Sequence, residues 1–137
     1  MAITFHPRHC TVLYCDFHGL IVPEMIKKRP VVILSTKHAG LCVVVPLSGT
    51  APEPVEAHHH KMNRQALPKK LRDKGDWWAK CDCLTHVCFE RLDRIQDGRD
   101  PRTGRRCYIS PRIAEIDLKA IKICIVRYLG MSDLISV

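Results

Sequence analysis

Residues 30–35 read Pro30-Val31-Val32-Ile33-Leu34-Ser35, and residues 41–47 read Leu41-Cys42-Val43-Val44-Val45-Pro46-Leu47. Two apolar runs of strand length, joined by the Gly-containing Thr36-Lys37-His38-Ala39-Gly40, make a hairpin the natural local structure. The apolarity is continuous rather than alternating. Both faces of these strands are therefore expected to be covered, as in a small closed barrel.

Working outward, residues 11–17 (TVLYCDF), 83–90 (CLTHVCFE) and 106–109 read as further strands. Between 48 and 80 the composition shifts to prolines at 52, 54 and 68, the triplet His58-His59-His60 and the basic Lys69-Lys70-Leu71-Arg72. That is long for a connection in a compact domain, so minor structure or a function is expected there. Residues 56–61 read as an edge strand, and Trp77-Trp78-Ala79 as the point where the segment packs back. Alternation would put His58 and His60 on one face and His59 on the other.

The chain ends in a helix. Ser110 reads as its N-cap and Pro111 as its first residue, while Gly130 reads as its stop. Ile113, Ile116, Ala120, Ile121, Cys124 and Tyr128 recur at helical spacing and predict its apolar face. The expected architecture is mainly β with helices (α+β): a small β-barrel with a C-terminal helix. It is expected to form one domain, 1–137, with a His/Pro/basic insertion at about residues 49–80.

Length and composition narrow the function. At 137 residues, 46% hydrophobic and 26% charged, the chain can bury its own core and is not a disordered protein. No uncharged apolar run approaches the roughly 18 residues of a membrane span, and the first eight residues lack signal-peptide order. A cytoplasmic, membrane-free protein is expected. Twenty-two Lys and Arg against fourteen Asp and Glu give a net charge of +8, which attracts polyanions such as phosphate backbones. The eight cysteines are expected as reduced thiols. Cys10, Cys15, Cys81 and Cys83 have C-x4-C and C-x-C spacings that do not suit a zinc ribbon.

Three features converge on anion chemistry. Glu24-Met25-Ile26-Lys27-Lys28-Arg29 is a charged loop whose last residue Pro30 holds extended at a strand mouth, with a planar fork suited to phosphate. The next strand ends in the hydroxyl-bearing Ser48-Gly49-Thr50. Further cations follow in the insertion and at Arg99, Arg102, Arg105 and Arg106.

These residues resemble the PemK/MazF toxins of prokaryotic toxin–antitoxin systems. The family's opening block appears as Cys15-Asp16-Phe17, Gly19, Glu24 and then residues 29–35, with the family's five-residue step from Glu24 to Arg29. A second block is Val43-Val44-Val45-Pro46-Leu47-Ser48, with Ser where Thr is frequent. A third runs from Ala79-Lys80-Cys81-Asp82 to Phe89-Glu90-Arg91-Leu92-Asp93, and departs from the family's Glu-x-x-Arg because Asp93 stands three residues after Glu90.

The resemblance implies an SH3-like barrel, a homodimer, a small acidic antitoxin, and metal-independent cleavage of single-stranded RNA without a cofactor. Cleavage of this kind uses the ribose 2′-OH as nucleophile and leaves a 2′,3′-cyclic phosphate and a 5′-OH. By matching position, Arg29 would stabilise the phosphorane and Ser48 would hydrogen-bond the scissile phosphate. Glu24 is the candidate base or loop organiser. Lys27, Lys28, His59, Arg99 and Arg102 are the expected RNA contacts. The rival readings are a toxin of the same fold that acts on a protein such as DNA gyrase, and an RNA-binding module without catalysis.

Overall fold

The computed structural model describes residues 3–135. Met1, Ala2, Ser136 and Val137, the ends of the expected domain, lie outside the described residues.

Strand β1 (Val12–Cys15) lies antiparallel to β2 (Arg29–Ser35), which forms the expected hairpin with β3 (Leu41–Ser48). The free edge of β3 is shared. Leu41 to Val44 pair with β6 (Thr85–Cys88), whereas Leu47 and Ser48 pair with β5 (Trp78–Lys80). Pro46 falls in the gap between these partners, where a missing N–H costs the ladder little. Beyond β5 lies β4 (His59–Lys61), and on the far side of β1 lies β7 (Leu92–Asp93). A separate hairpin joins β8 (Ile95–Arg99) to β9 (Arg106–Ile109).

The result is an antiparallel sheet of order β4-β5-β3-β2-β1-β7 with β6 on β3, and its hydrogen bonding does not close on itself among the described residues. The closed barrel expected from the apolar runs is therefore seen as an open sheet. Its terminal strands, β4 and β7, have three and two residues and pair only with β5 and β1.

Both faces of the sheet are nonetheless covered, which accounts for the continuous apolarity. Val12, Val32, Val45, Leu47 and Ala79 face one core, completed by helix α2 (Glu115–Tyr128) and by Leu67, Leu71 and Trp77 of the insertion. Leu13, Val31, Ile33, Val44 and Phe17 face a second core on the opposite side. No helix among the described residues is long and apolar enough to cross a membrane.

Helix α2 starts later than its sequence signals suggest. Ser110 and Pro111 do not open it: Val12 N–H donates to Pro111 O (2.7 Å), Ile113 N–H donates to Cys10 O (2.9 Å), and Thr11 bridges Arg112. Two backbone hydrogen bonds and the burial of Ile113 outweigh a serine cap worth about 1 kcal/mol. The buried face matches the expected one in part: Ile121 and Cys124 are buried as expected, whereas Tyr128 is exposed. Leu118, Ile121 and Cys124 point inward with Asp117, whereas Ile116 is 73% exposed. Gly130 ends the helix as expected. With φ at +72°, it lets Met131 N–H reach Val126 O and Gly130 N–H reach Arg127 O, a Schellman closure.

The insertion joins the sheet rather than merely lying on it. Trp78 and Ala79 belong to β5, between β3 and β4; Trp77 and Ala79 pack into the first core as anticipated, and Trp77 Nε1–H donates to Leu71 O at 2.7 Å. A short helix, α1 (Lys69–Arg72), precedes it. His60 on β4 approaches Asp117 Oδ1 at 2.8 Å, and Asn63 N–H donates to the same oxygen, so one buried carboxylate anchors the insertion to α2.

Candidate functional site

The β2–β3 register places Val31 opposite Pro46; continued by two residues, it places Arg29 opposite Ser48. Ser48 is opposite Trp78, which is opposite Lys61, and Arg29 is opposite Cys15 on its other side. Residues opposite one another share a face. Arg29, Ser48, Trp78 and Lys61 thus form a polar row at the mouth of the strands, continuous with the second core. His59, two residues from Lys61, shares that face.

Arg29 opens β2 half-buried, and its Nε is buried without a hydrogen-bond partner. An orphaned donor on a cation costs about 1–3 kcal/mol unless something arrives to accept from it. Arg29 also lines a depression of about 410 Å³ with Tyr14, Lys28, Thr50, Lys74 and Trp77, whose two aromatic side chains pack with the first core. Lys28 Nζ and Lys70 Nζ sit 5.5 and 5.8 Å from the Tyr14 ring centroid, so three elements bring cations and aromatics to one place. Such a surface suits a nucleic-acid strand, with phosphates on the cations and bases against the rings.

Ser48 is buried, and its Oγ accepts from Thr50 N–H (3.2 Å) and approaches Thr50 O at 3.4 Å. The first contact shapes the turn after β3. The second is long enough for the hydroxyl proton to turn elsewhere. Glu24 Oε1 accepts from Ile21 N–H at 2.9 Å, and its backbone N–H donates back to Ile21 O, so it organises the loop before β2. Glu24 also lines a second depression with Asp82, Cys83 and Thr85.

The expected RNA contacts divide. Lys28 lies in the cationic depression and Lys27 is exposed on the same loop. Arg99 and Arg102 occupy the β8–β9 hairpin, where Arg99 Nη1–H donates to Gly104 O and Arg102 N–H donates to Asp100 Oδ1. No hydrogen bond or ion pair among the described residues joins them to Arg29, Ser48 or Glu24.

His58 and His59 point to the same partner, not to opposite faces. His58 precedes β4, so strand alternation does not govern it, and both Nε2 atoms approach Asp82 (3.8 and 3.7 Å). Burial pushes the His59 imidazole pKa down, with Asp82 opposing. All eight cysteines are free. Cys10 and Cys81 lie in one core and Cys15 in the other, so the four thiols weighed for zinc are divided by the sheet. Burial pushes the Cys15 thiol up to about 12 and also raises Cys83, against which the Arg29 charge acts.

Sequence reasoning missed Tyr14, Lys74 and Asp82. Tyr14 carries a signal in retrospect, since it is opposite Pro30 and hence beside Lys28. Lys74 and Asp82 carry none, because each reaches its place through the path of the insertion.

Comparison with known proteins places the chain in a family. The model of the PemK-like, MazF-like toxins of type II toxin–antitoxin systems matches residues 8–104. YifN of Escherichia coli K12 is 32% identical over 89% of this chain and 94% of its own length. An uncharacterized protein of Haemophilus influenzae is 31% identical over 71% of this chain and 77% of its own. The crystal structure of MazF from Deinococcus radiodurans superposes with a TM-score of 0.64 at 14% identity, covering 93% of this chain and 99% of that one. A mycobacterial endoribonuclease superposes at 0.61 with 15% identity, covering 93% of this chain and 94% of its own. These two structures share the fold. With the motif blocks, the family match and these relatives in agreement, the chain belongs to the PemK-like, MazF-like toxin family of type II toxin–antitoxin systems.

Proposed function

We propose that this chain is the toxin of a type II toxin–antitoxin pair and that it cleaves single-stranded RNA, acting as a cytoplasmic homodimer that stops translation and growth. The observation that carries this reading is the buried, unpartnered Nε of Arg29 at the edge of a cationic depression. The open sheet is read as the core of the family's SH3-like barrel.

In the proposed reaction the 2′-oxygen attacks the adjacent phosphorus while the bond to the 5′-oxygen breaks. The products are a 2′,3′-cyclic phosphate and a 5′-OH that has gained a proton. Charge builds on the non-bridging oxygens. Arg29, fixed at the strand mouth, meets that charge with a donor that has nothing else to bind. Arginine holds its proton too tightly to be a good acid at neutral pH, so stabilisation is its role. Ser48 directs its hydroxyl proton to the scissile phosphate while continuing to accept from Thr50 N–H. Glu24 holds the loop bearing Lys27 and Lys28, and is the carboxylate of that loop available as base. Lys28 and Lys74 hold flanking phosphates, with Tyr14 as a stacking surface.

The antitoxin is proposed to be an acidic segment laid over this depression. A crystal structure of MazE–MazF from Deinococcus radiodurans, superposing at a TM-score of 0.57, supports such a partner. Incubation with a long single-stranded RNA in excess EDTA tests the reading. Discrete fragments with cyclic-phosphate and 5′-OH ends are expected. Intact RNA with folded, antitoxin-free protein would refute the nuclease and favour a toxin that binds a protein target.

A further inference from the structure

Asp82 sits in the short turn Cys81–Cys83 between β5 and β6. Its Oδ1 is buried and accepts no hydrogen bond. Two imidazole nitrogens stand before this carboxylate: His59 Nε2 is 3.7 Å from Oδ1, and His58 Nε2 is 3.8 Å from Oδ2. One ligand atom from each of the three residues lies within 4.8 Å of the others. These separations are too long for hydrogen bonds. They are close to the roughly 3.3–3.5 Å between two ligands that each bind a tetrahedral ion at about 2.0–2.1 Å.

The fold builds this cluster from two segments. The pairing of His59 with Lys80 brings the start of β4 alongside the end of β5, and Asp82 follows two residues later. The rings are held by packing: His58 lies 4.3 Å from the His59 ring and edge-on to Tyr128 at 5.1 Å. The His59 side chain is 7% exposed, whereas His58 and Asp82 are 24% and 30% exposed, so the cluster is walled on one side and open on the other.

We propose that His58, His59 and Asp82 form a binding site for one divalent transition-metal ion of the zinc class, with water on its open side, tying the insertion to the β5–β6 turn. Two imidazoles and a carboxylate are a donor set suited to such ions. The site goes beyond the RNA chemistry and takes no part in it.

Binding has a stated proton balance. Glu56 N–H donates to His59 Nδ1 at 3.0 Å, so the imidazole proton is on Nε2. Coordination by Nε2 moves that proton to Nδ1, and the Glu56 N–H bond opens.

The test is a Co2+ titration of the full chain after EDTA treatment and desalting, without RNA. The expected result is one Co2+ per chain, visible d–d bands and no thiolate-to-cobalt charge transfer. Asp82→Asn and His58→Ala should each weaken binding about 100-fold. His86→Ala, an exposed imidazole on β6, should leave it unchanged. Zn2+ at a hundredfold excess over its Kd should raise Tm by about 5–10 °C. No saturable binding, binding that survives both ligand substitutions, or a thiolate charge-transfer band would overturn the proposal. Because no RNA is present, failure here and failure of the nuclease reading are separate results.

Discussion

Two regions of the molecule each carry a buried polar atom without a hydrogen-bond partner, and the two have opposite sign. At the mouth of β2 it is Arg29 Nε, a donor on a cation; beside β4 and β5 it is Asp82 Oδ1, an acceptor on a carboxylate. Each lies where a ligand of the other charge can reach it. Around Arg29 stand Lys28, Lys74 and Tyr14, so the expected ligand is an anionic chain that also offers rings. Around Asp82 stand two imidazoles, so the expected ligand is a metal ion. The Cys83 thiol, raised by burial, feels both the Asp82 and the Arg29 charge. The lesson is that an orphaned group identifies a site only together with its neighbours.

Four substitutions and one labelling experiment break or sharpen this contrast. Arg29→Ala should lower the single-turnover RNA cleavage rate by about 10²–10³-fold, the scale for losing one donor to a developing oxyanion. Far-UV circular dichroism should show that it still folds. Ile121→Ala, at the fully buried centre of α2, should cost about 2–5 kcal/mol in urea unfolding and so weaken both ends together. Asp117→Ala should cost about 1–3 kcal/mol in the same assay, because it strands Asn63 N–H and His60 without their acceptor. A loss as large as that of Ile121→Ala would mean that this anchor carries more of the insertion than its hydrogen bonds suggest. Ser48→Ala should slow cleavage about tenfold, the loss of one hydrogen bond to the phosphate.

The smallest effect concerns thiol chemistry. With a disulfide-exchange reagent at pH 8, Cys107 should label first because it is exposed. Cys15 and Cys42, pushed up to about 12 and about 11 by burial, have negligible thiolate at that pH and should label only on unfolding. Labelling mass spectrometry reads this directly. Rapid labelling of Cys15 in the folded protein would show that the second core, beneath Arg29, is open.

The Arg29 end was legible because its information is local. A proline fixes the backbone before an apolar strand, a second strand follows after five residues, and a hydroxyl ends it; register then places Ser48 opposite Arg29. The Asp82 end was not legible, because Asp82 lies more than twenty residues from His58 and His59 and only the course of the insertion brings them together. The helix start failed for a related reason. Ser110 and Pro111 are good local signals, but β1 offers residues 111–113 backbone partners that a local reading does not contain. The buried face of α2 takes in Asp117 for the same cause, since its carboxylate points inward to serve His60 and Asn63. Barrel closure was inferred from apolarity on both faces, whereas α2 and the insertion cover one of those faces without closing the sheet.

The measurement that tests the central claim most directly is single-turnover cleavage of one single-stranded RNA in excess EDTA by the wild type, Arg29→Lys and Arg29→Ala. The account predicts cleavage by the wild type and loss of about 10²-fold or more in both variants, because lysine keeps the charge but lacks the fork that carries the orphaned Nε. Cleavage by folded Arg29→Ala at the wild-type rate would contradict it.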